Sequence, residues 1–238
     1  MSGYRNRGSV ALKVLARILG SIVCALPAAL LAGCGGKASK TIEVRIAEPR
    51  SLRAAPSTEI DWRRVATAED RTRLRNWRQA WVDALAKAQG SAKATVVASD
   101  SLLFDPDRAL SGAMPPPGSY LCRVIKLGAN GTAMHDVTTY PPVDCKVDDE
   151  GEVSSLYKVS GAQRPVGLLF PESQARAVFL GTMVLGDETK PLSYGQDSNR
   201  DMAGYIERIG DKRWRLVLPY PRFESLLDVV EIVPAPKR

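Results

Sequence analysis

Ala203-Gly-Tyr-Ile-Glu-Arg-Ile-Gly210-Asp211-Lys-Arg213-Trp-Arg-Leu-Val-Leu218 decides how this chain folds. Gly210-Asp211 is a hairpin signal between two runs with strand character. In the second run Trp214, Leu216 and Leu218 fall on one face, and Arg213 and Arg215 on the other. That twofold period predicts a sheet with one face buried. The same punctuation continues outward. Upstream, Ser119–Leu127 and Thr132–Tyr140 flank Gly128-Ala-Asn130-Gly131, where Asn130-Gly131 is a strong turn signal. Glu152–Val159 follows a turn rich in Asp, Glu and Gly, and Pro165–Phe170 and Arg176–Leu185 flank Pro171-Glu-Ser173. Downstream, Leu226–Val233 closes the chain. The expectation is a mainly β, α+β fold: an antiparallel barrel or sandwich of about eight strands.

One packed N-terminal helix is expected over Thr67–Gln89. Thr67 with Asp70 resembles a capping box, with Asp in the Glu position. Leu74, Trp77, Trp81, Leu85 and Ala88 recur at spacings of three and four, which makes one apolar stripe. Gly90 is the expected stop. The stripe is read as the face that covers the sheet, rather than as a membrane-surface helix.

The N-terminal segment reads as an address. Arg5, Arg7, Lys13 and Arg17 precede the apolar run Ile18–Ala32, which ends in Leu31-Ala-Gly-Cys34. The run is short for a membrane span, which needs about 20 residues, and fits a signal core. Its ending resembles a bacterial lipobox, in which the thiol of Cys34 receives a lipid. Residues 1–33 are therefore expected to be a lipoprotein signal peptide, residues 34–58 a lipid-anchored tether and residues 59–235 a single β-rich domain. Gly35 after the cysteine resembles an outer-membrane address on a protein facing the periplasm. The formal charge is +7, and removing the four leader cations leaves +3, too little to suggest nucleic acid as a partner.

The leader also sorts the four cysteines. Cys24 would be discarded and Cys34 lipidated, which leaves Cys122 and Cys145 for a disulfide in an oxidising compartment. Two reduced thiols are the alternative if the leader is not one. In a hairpin centred near Ala129-Asn130, Cys122 would face about residue 137, so the bond would pin the bend after Pro141-Pro142 back onto the first strand. Closing such a loop is worth roughly 3 kcal/mol in the chain-entropy model.

Chemistry is sparse. Tyr194 to Arg208 is the densest polar stretch. Asp197, Asn199 and Asp201 begin like a calcium loop, but Met202 and Arg208 occupy the places that need Gly and Glu. Asp197, Asp201 and Glu207 are candidate carboxylates for acid–base work, and Arg164, Tyr194, Arg200 and Arg208 are candidate binding residues. The stronger expectation is that the acids pair with Arg200 and Arg208 and brace a loop, with Arg164 another partner for Asp197 or Asp201. His135 is the single histidine and lacks a nucleophile motif. No motif calls for a metal or other cofactor.

A Trp-bearing N-terminal helix, Pro115-Pro-Pro-Gly118-Ser-Tyr-Leu-Cys122-Arg123, Lys126-Leu-Gly128, Gln163-Arg164, Phe179-Leu-Gly181 and Tyr194-Gly-x-Asp197-x-x-Arg200-Asp201-x-x-Gly204-x-x-Glu207-Arg208 together resemble an alphaproteobacterial domain of unknown function. The resemblance spans Asp61 to Pro234 and implies a secreted or lipidated envelope protein without assigning an activity. The expectation is a lipid-anchored binding or structural module for an envelope protein or small ligand. The alternative is a hydrolase built on the carboxylate and arginine cluster.

Overall fold

The computed structural model describes residues 60–131 and 135–236. The leader, Cys34 and the tether through residue 58 lie outside them. Nine strands follow a helical segment: β1 (Gly118–Ala129), β2 (Val137–Thr139), β3 (Val143–Asp149), β4 (Ser154–Lys158), β5 (Gln163–Pro171), β6 (Ala177–Leu185), β7 (Asp201–Gly210), β8 (Arg213–Pro219) and β9 (Ser225–Pro234). All pairings are antiparallel. β1 pairs with both β3 and β9, so eight strands close into a barrel and β2 is an extra strand. Of the two expected architectures, the barrel is the one formed.

The 12-residue β1 explains the extra strand. Its second half pairs with β2 (Leu127 with Val137, Ile125 with Thr139), and its first half pairs with β3 (Cys122 with Val143, Gly118 with Val147). Tyr140-Pro141-Pro142 separates the two partners, where the prolines have no N–H for a ladder. The expected strand at Thr132–Tyr140 is thus β2 alone among the described residues, and β3 is an addition. Alternation had a weak voice there, because only Val143, Cys145 and Val147 are apolar among charged neighbours. The disulfide joins Cys122 and Cys145 across the β1–β3 ladder, with Cα atoms 5.9 Å apart. It ties strand to strand inside the wall, not a bend to a strand.

The expected single helix is two. α1 (Trp62–Val65) precedes α2 (Ala68–Arg75) and α3 (Trp77–Gln89), and α4 (Ala94–Ala98) and α5 (Ser101–Phe104) follow. Thr67 caps α2 as expected, its Oγ1 accepting from the Asp70 N–H at 3.2 Å. The chain breaks at Asn76, so that α2 packs on β7 while α3 lies over β1 and β9. A straight rod of 22 or so residues would leave a curved wall at one end. The buried face of α3 is Ala80, Trp81, Ala84 and Ala88. The small residues bring the backbone close: a Cβ on Gly128, whose φ is +69°, would lie 3.1 Å from the Ala84 Cα.

Both faces of several strands are therefore buried. Tyr120, Cys145, Leu169, Phe179, Ile206, Trp214 and Ile232 fill the barrel interior. Ile125, Leu127, Val217, Leu227 and Val229 point outward beneath Trp81, Leu103 and Phe104. This corrects the reading of Arg215 as part of an open face: it is fully buried under the helical layer.

Candidate functional site

The polar stretch builds structure. Glu207 is 1% exposed and accepts from Arg176 Nε at 2.6 Å and Arg215 Nη2 at 2.7 Å. Arg215 also donates to the carbonyls of Leu103, Asp105 and Arg108, which fastens α5 and its following loop to the barrel. Both oxygens of Glu207 are occupied by guanidinium donors, a poor arrangement for a proton-transfer base. Asp201 is buried and accepts from the Gly195 N–H at 2.9 Å; burial pushes its carboxyl up. Asp197 accepts from the Asn199 N–H at 2.9 Å within its own turn. Asp201 opens β7 and Glu207 lies six residues along it, about 20 Å away at strand rise. The crevice beside Asp201, Asn199 and Arg200 holds about 20 Å³, room for about one water.

The expected arginine partners also change. Arg164 donates to the carbonyls of Gly161, Gly186 and Glu188, not to Asp197 or Asp201. Arg200 clamps both oxygens of Glu188 at 2.9 Å, and this hydrogen bonding holds the Glu188 carboxyl down to about 2. Arg208 donates to the Ser111 carbonyl at 2.7 Å. Tyr194 donates to Asp70 Oδ2 at 2.5 Å and accepts from the Thr67 N–H, pinning the start of α2; burial and then Asp70 push the phenol up. Bracing was the expected role and bracing is what these contacts do, through different partners. His135 is exposed.

A more distinctive arrangement lies in the barrel itself. One end is packed solid. Tyr120 and Trp214 meet edge to face with ring centroids 6.0 Å apart. Tyr120 Oη donates to the Pro116 carbonyl and Trp214 Nε1 to that of Gly112, so the Pro-rich loop before β1 lids this end. The other end holds a cavity of about 310 Å³. Val124, Val143, Met183, Met202, Leu218 and Val230 supply its apolar lining, and Lys126, Lys158, Gln163 and Asp228 its polar groups. The size is within the range of small-molecule sites, which favour barrel mouths. A larger groove on the outer wall, about 710 Å³ beside Leu121, Lys146 and Val159, has no buried charged group in its lining.

Strand parity places the cavity's charges. Cys122, Val124 and Lys126 share the inward face of β1, while Asp228 and Val230 share that of β9. Lys126 is 4% exposed and donates to Asp228 Oδ2 at 2.8 Å, with Glu224 Oε2 at 3.4 Å. Burial lowers the Lys126 ammonium, but the two carboxylates more than offset it, and the net shift is upward. Glu224 reaches inward from a backbone φ of +73°, in a loop that also holds Tyr220 at +47°. Left-handed backbone at a residue with a Cβ costs roughly 1–2 kcal/mol, so packing at this rim enforces an unfavourable conformation.

Lys158, the last residue of β4, differs from Lys126. Its Nζ donates to the Gln163 carbonyl at 2.9 Å, and no carboxylate lies within ion-pair distance among the described residues. Burial, then the charges of Lys126 and Arg164, push its ammonium down. The sequence reading missed Lys126, Lys158, Asp228 and Glu224. The available signal was a charged residue at an inward position of an otherwise apolar strand: Lys126 two residues after Val124, and Asp228 two before Val230.

Residues 62–232 match a family model described as a domain of unknown function, DUF4893. No curated protein and no solved structure gives a match.

Proposed function

The chain belongs to the DUF4893 family, and for it we propose a role as a ligand-binding module of the bacterial cell envelope, held at the membrane through lipid on Cys34. The observation that carries the binding role is the asymmetry of the barrel: one end plugged by Tyr120 and Trp214, the other hollow and lined by apolar side chains with buried charges. A closed wall with one open mouth admits a small molecule and excludes water from its body. Leu31-Ala-Gly-Cys34 supports the anchor. The hydrolase reading gains no support, because Asp197, Asp201 and Glu207 are each engaged separately.

Native mass spectrometry of the protein extracted from its own envelope tests the binding role. A co-purifying small molecule is expected, lost when Met202→Trp fills the cavity. A ligand-free spectrum for the unsubstituted protein would remove the reading. For the anchor, Cys34→Ser is expected to abolish lipid labelling and membrane retention. Retention undiminished in that variant would refute lipid anchoring.

A further inference from the structure

We infer that the barrel mouth takes an amphiphilic monoanion, a hydrocarbon body with one carboxylate head, and that Lys158 receives the head. The inference rests on the cavity reading above and adds the class of ligand. Its first support is the unequal treatment of two lysines in one cavity. Lys126 has two carboxylates within ion-pair distance, Asp228 at 2.8 Å and Glu224 at 3.4 Å, and Lys158 has none among the described residues. Lys158 spends one donor on the Gln163 carbonyl, and an ammonium has three.

The surrounding charge is the second support. Arg164, outside the lining, donates to three carbonyls and stands near enough for its charge to act on the Lys158 ammonium. Of the two ammonium groups in the cavity lining, Lys126 faces Asp228 and Glu224, and Lys158 has no carboxylate within ion-pair distance among the described residues. One lysine without a carboxylate partner matches a single negative head better than a doubly charged phosphate.

Local backbone supplies the third. Gly161 has φ +100°, and a Cβ there would lie 3.6 Å from Lys158 Nζ. The turn after β4 therefore leaves the ammonium approachable on that side. Burial and the like charges of Lys126 and Arg164 already disfavour the charged form of Lys158, so an arriving carboxylate relieves a penalty carried by the free protein. The body of the ligand lies against Val124, Met183, Met202, Leu218 and Val230, for which a hydrocarbon chain is the complementary surface.

Calorimetric titration of the purified full chain with dodecanoate, dodecanol, dodecyl phosphate and dodecyltrimethylammonium tests this. Dodecanoate is expected to bind about ten- to hundredfold more tightly than dodecanol, the range for one charge-assisted hydrogen bond. Lys158→Met and Lys158→Gln are expected to reduce dodecanoate to the level of dodecanol without weakening dodecanol, and Lys158→Arg to retain the preference. Equal binding of acid and alcohol, preference for the cation or the phosphate, or a preference surviving both neutral substitutions would overturn the assignment of the head group. Failure of every chain to bind would instead overturn the cavity reading itself, together with this inference.

Discussion

The two ends of the barrel are made by the same strands and differ in what those strands place inside. At the lidded end the inward positions carry Tyr120, Leu169, Phe179, Ile206 and Trp214, and the loop from Ser111 to Pro117 satisfies the polar atoms of the two polar rings. At the open end the inward positions carry Lys126, Lys158, Asp228 and thinner apolar groups, and the space is left unfilled. The difference separates two uses of a closed sheet. Large rings convert inward area into stability. Charges that must be paired offer little net stability for their burial and are retained here beside an open volume. Gly167 and Gly181 mark the transition: they face each other across β5 and β6, and a Cβ on either would lie 2.7 Å from the Phe179 ring. The wall thus makes room for the last large ring before the cavity begins.

Breaking the lidded end has the largest expected effect. Trp214→Ala removes a ring that is 6% exposed and its bond to the Gly112 carbonyl. A loss of about 4 kcal/mol is expected in urea unfolding, with ligand affinity of the remaining folded protein unchanged. A loss under about 1 kcal/mol would mean that the lidded end does not carry the fold.

At the open end, Lys126→Met is expected to cost about 3 kcal/mol, because it strands Asp228 and Glu224 beside an apolar side chain. Adding Asp228→Leu is expected to recover most of that loss, since removing both partners of a buried pair is often neutral. Recovery would show that the pair is kept for something other than stability. Met202→Ala is smaller still, about 1–2 kcal/mol, because Met202 borders space that is already empty and few contacts are lost. If Met202→Ala cost as much as Trp214→Ala, the two ends would be equally packed and the comparison would fail.

Most of the barrel was legible from alternation and turn residues. β5, β6, β8 and β9 fall within about two residues of their expected limits because glycine, proline and acidic turns bound strongly apolar runs. β3 was not legible, because its outward Asp144, Lys146 and Asp148 look like loop residues when only three inward apolar groups interrupt them. The break at Asn76 was hidden for a different reason. Neither neighbour is a helix breaker, so the kink comes from the curvature of the wall, a property of the assembled sheet. The polar cluster at Tyr194–Arg208 attracted notice through density, yet density along the chain says nothing about partners. Glu207 found Arg176 and Arg215, and Arg200 found Glu188, across strand pairings that spacing does not reveal. The cavity lysines were isolated in sequence and came together only when the sheet closed.

The finest test sets the two lysines against each other by pH. Lys158 has a depressed pKa in the folded protein, from burial first and then Lys126 and Arg164, with Asp228 opposing weakly. As pH rises from that depressed value to the ordinary lysine value of about 10.4, the folded state releases its proton before the unfolded chain does. The unfolded state then binds more protons, so this group contributes stability that increases with pH. Lys126 has the opposite sign. Its pKa is raised by Asp228 and Glu224 despite burial, so its contribution is fully present below the ordinary value and is lost as pH rises through the folded one. Tyrosines titrate in the same region, and comparison with Lys158→Met cancels them. The stability difference between wild type and Lys158→Met, followed by urea midpoints from about pH 8 to about pH 11, is expected to move in favour of wild type with rising pH and then level off. Bound dodecanoate should erase that movement by restoring the charge of Lys158, and a difference that stays flat in the free protein would show that the ammonium is not penalised where it stands.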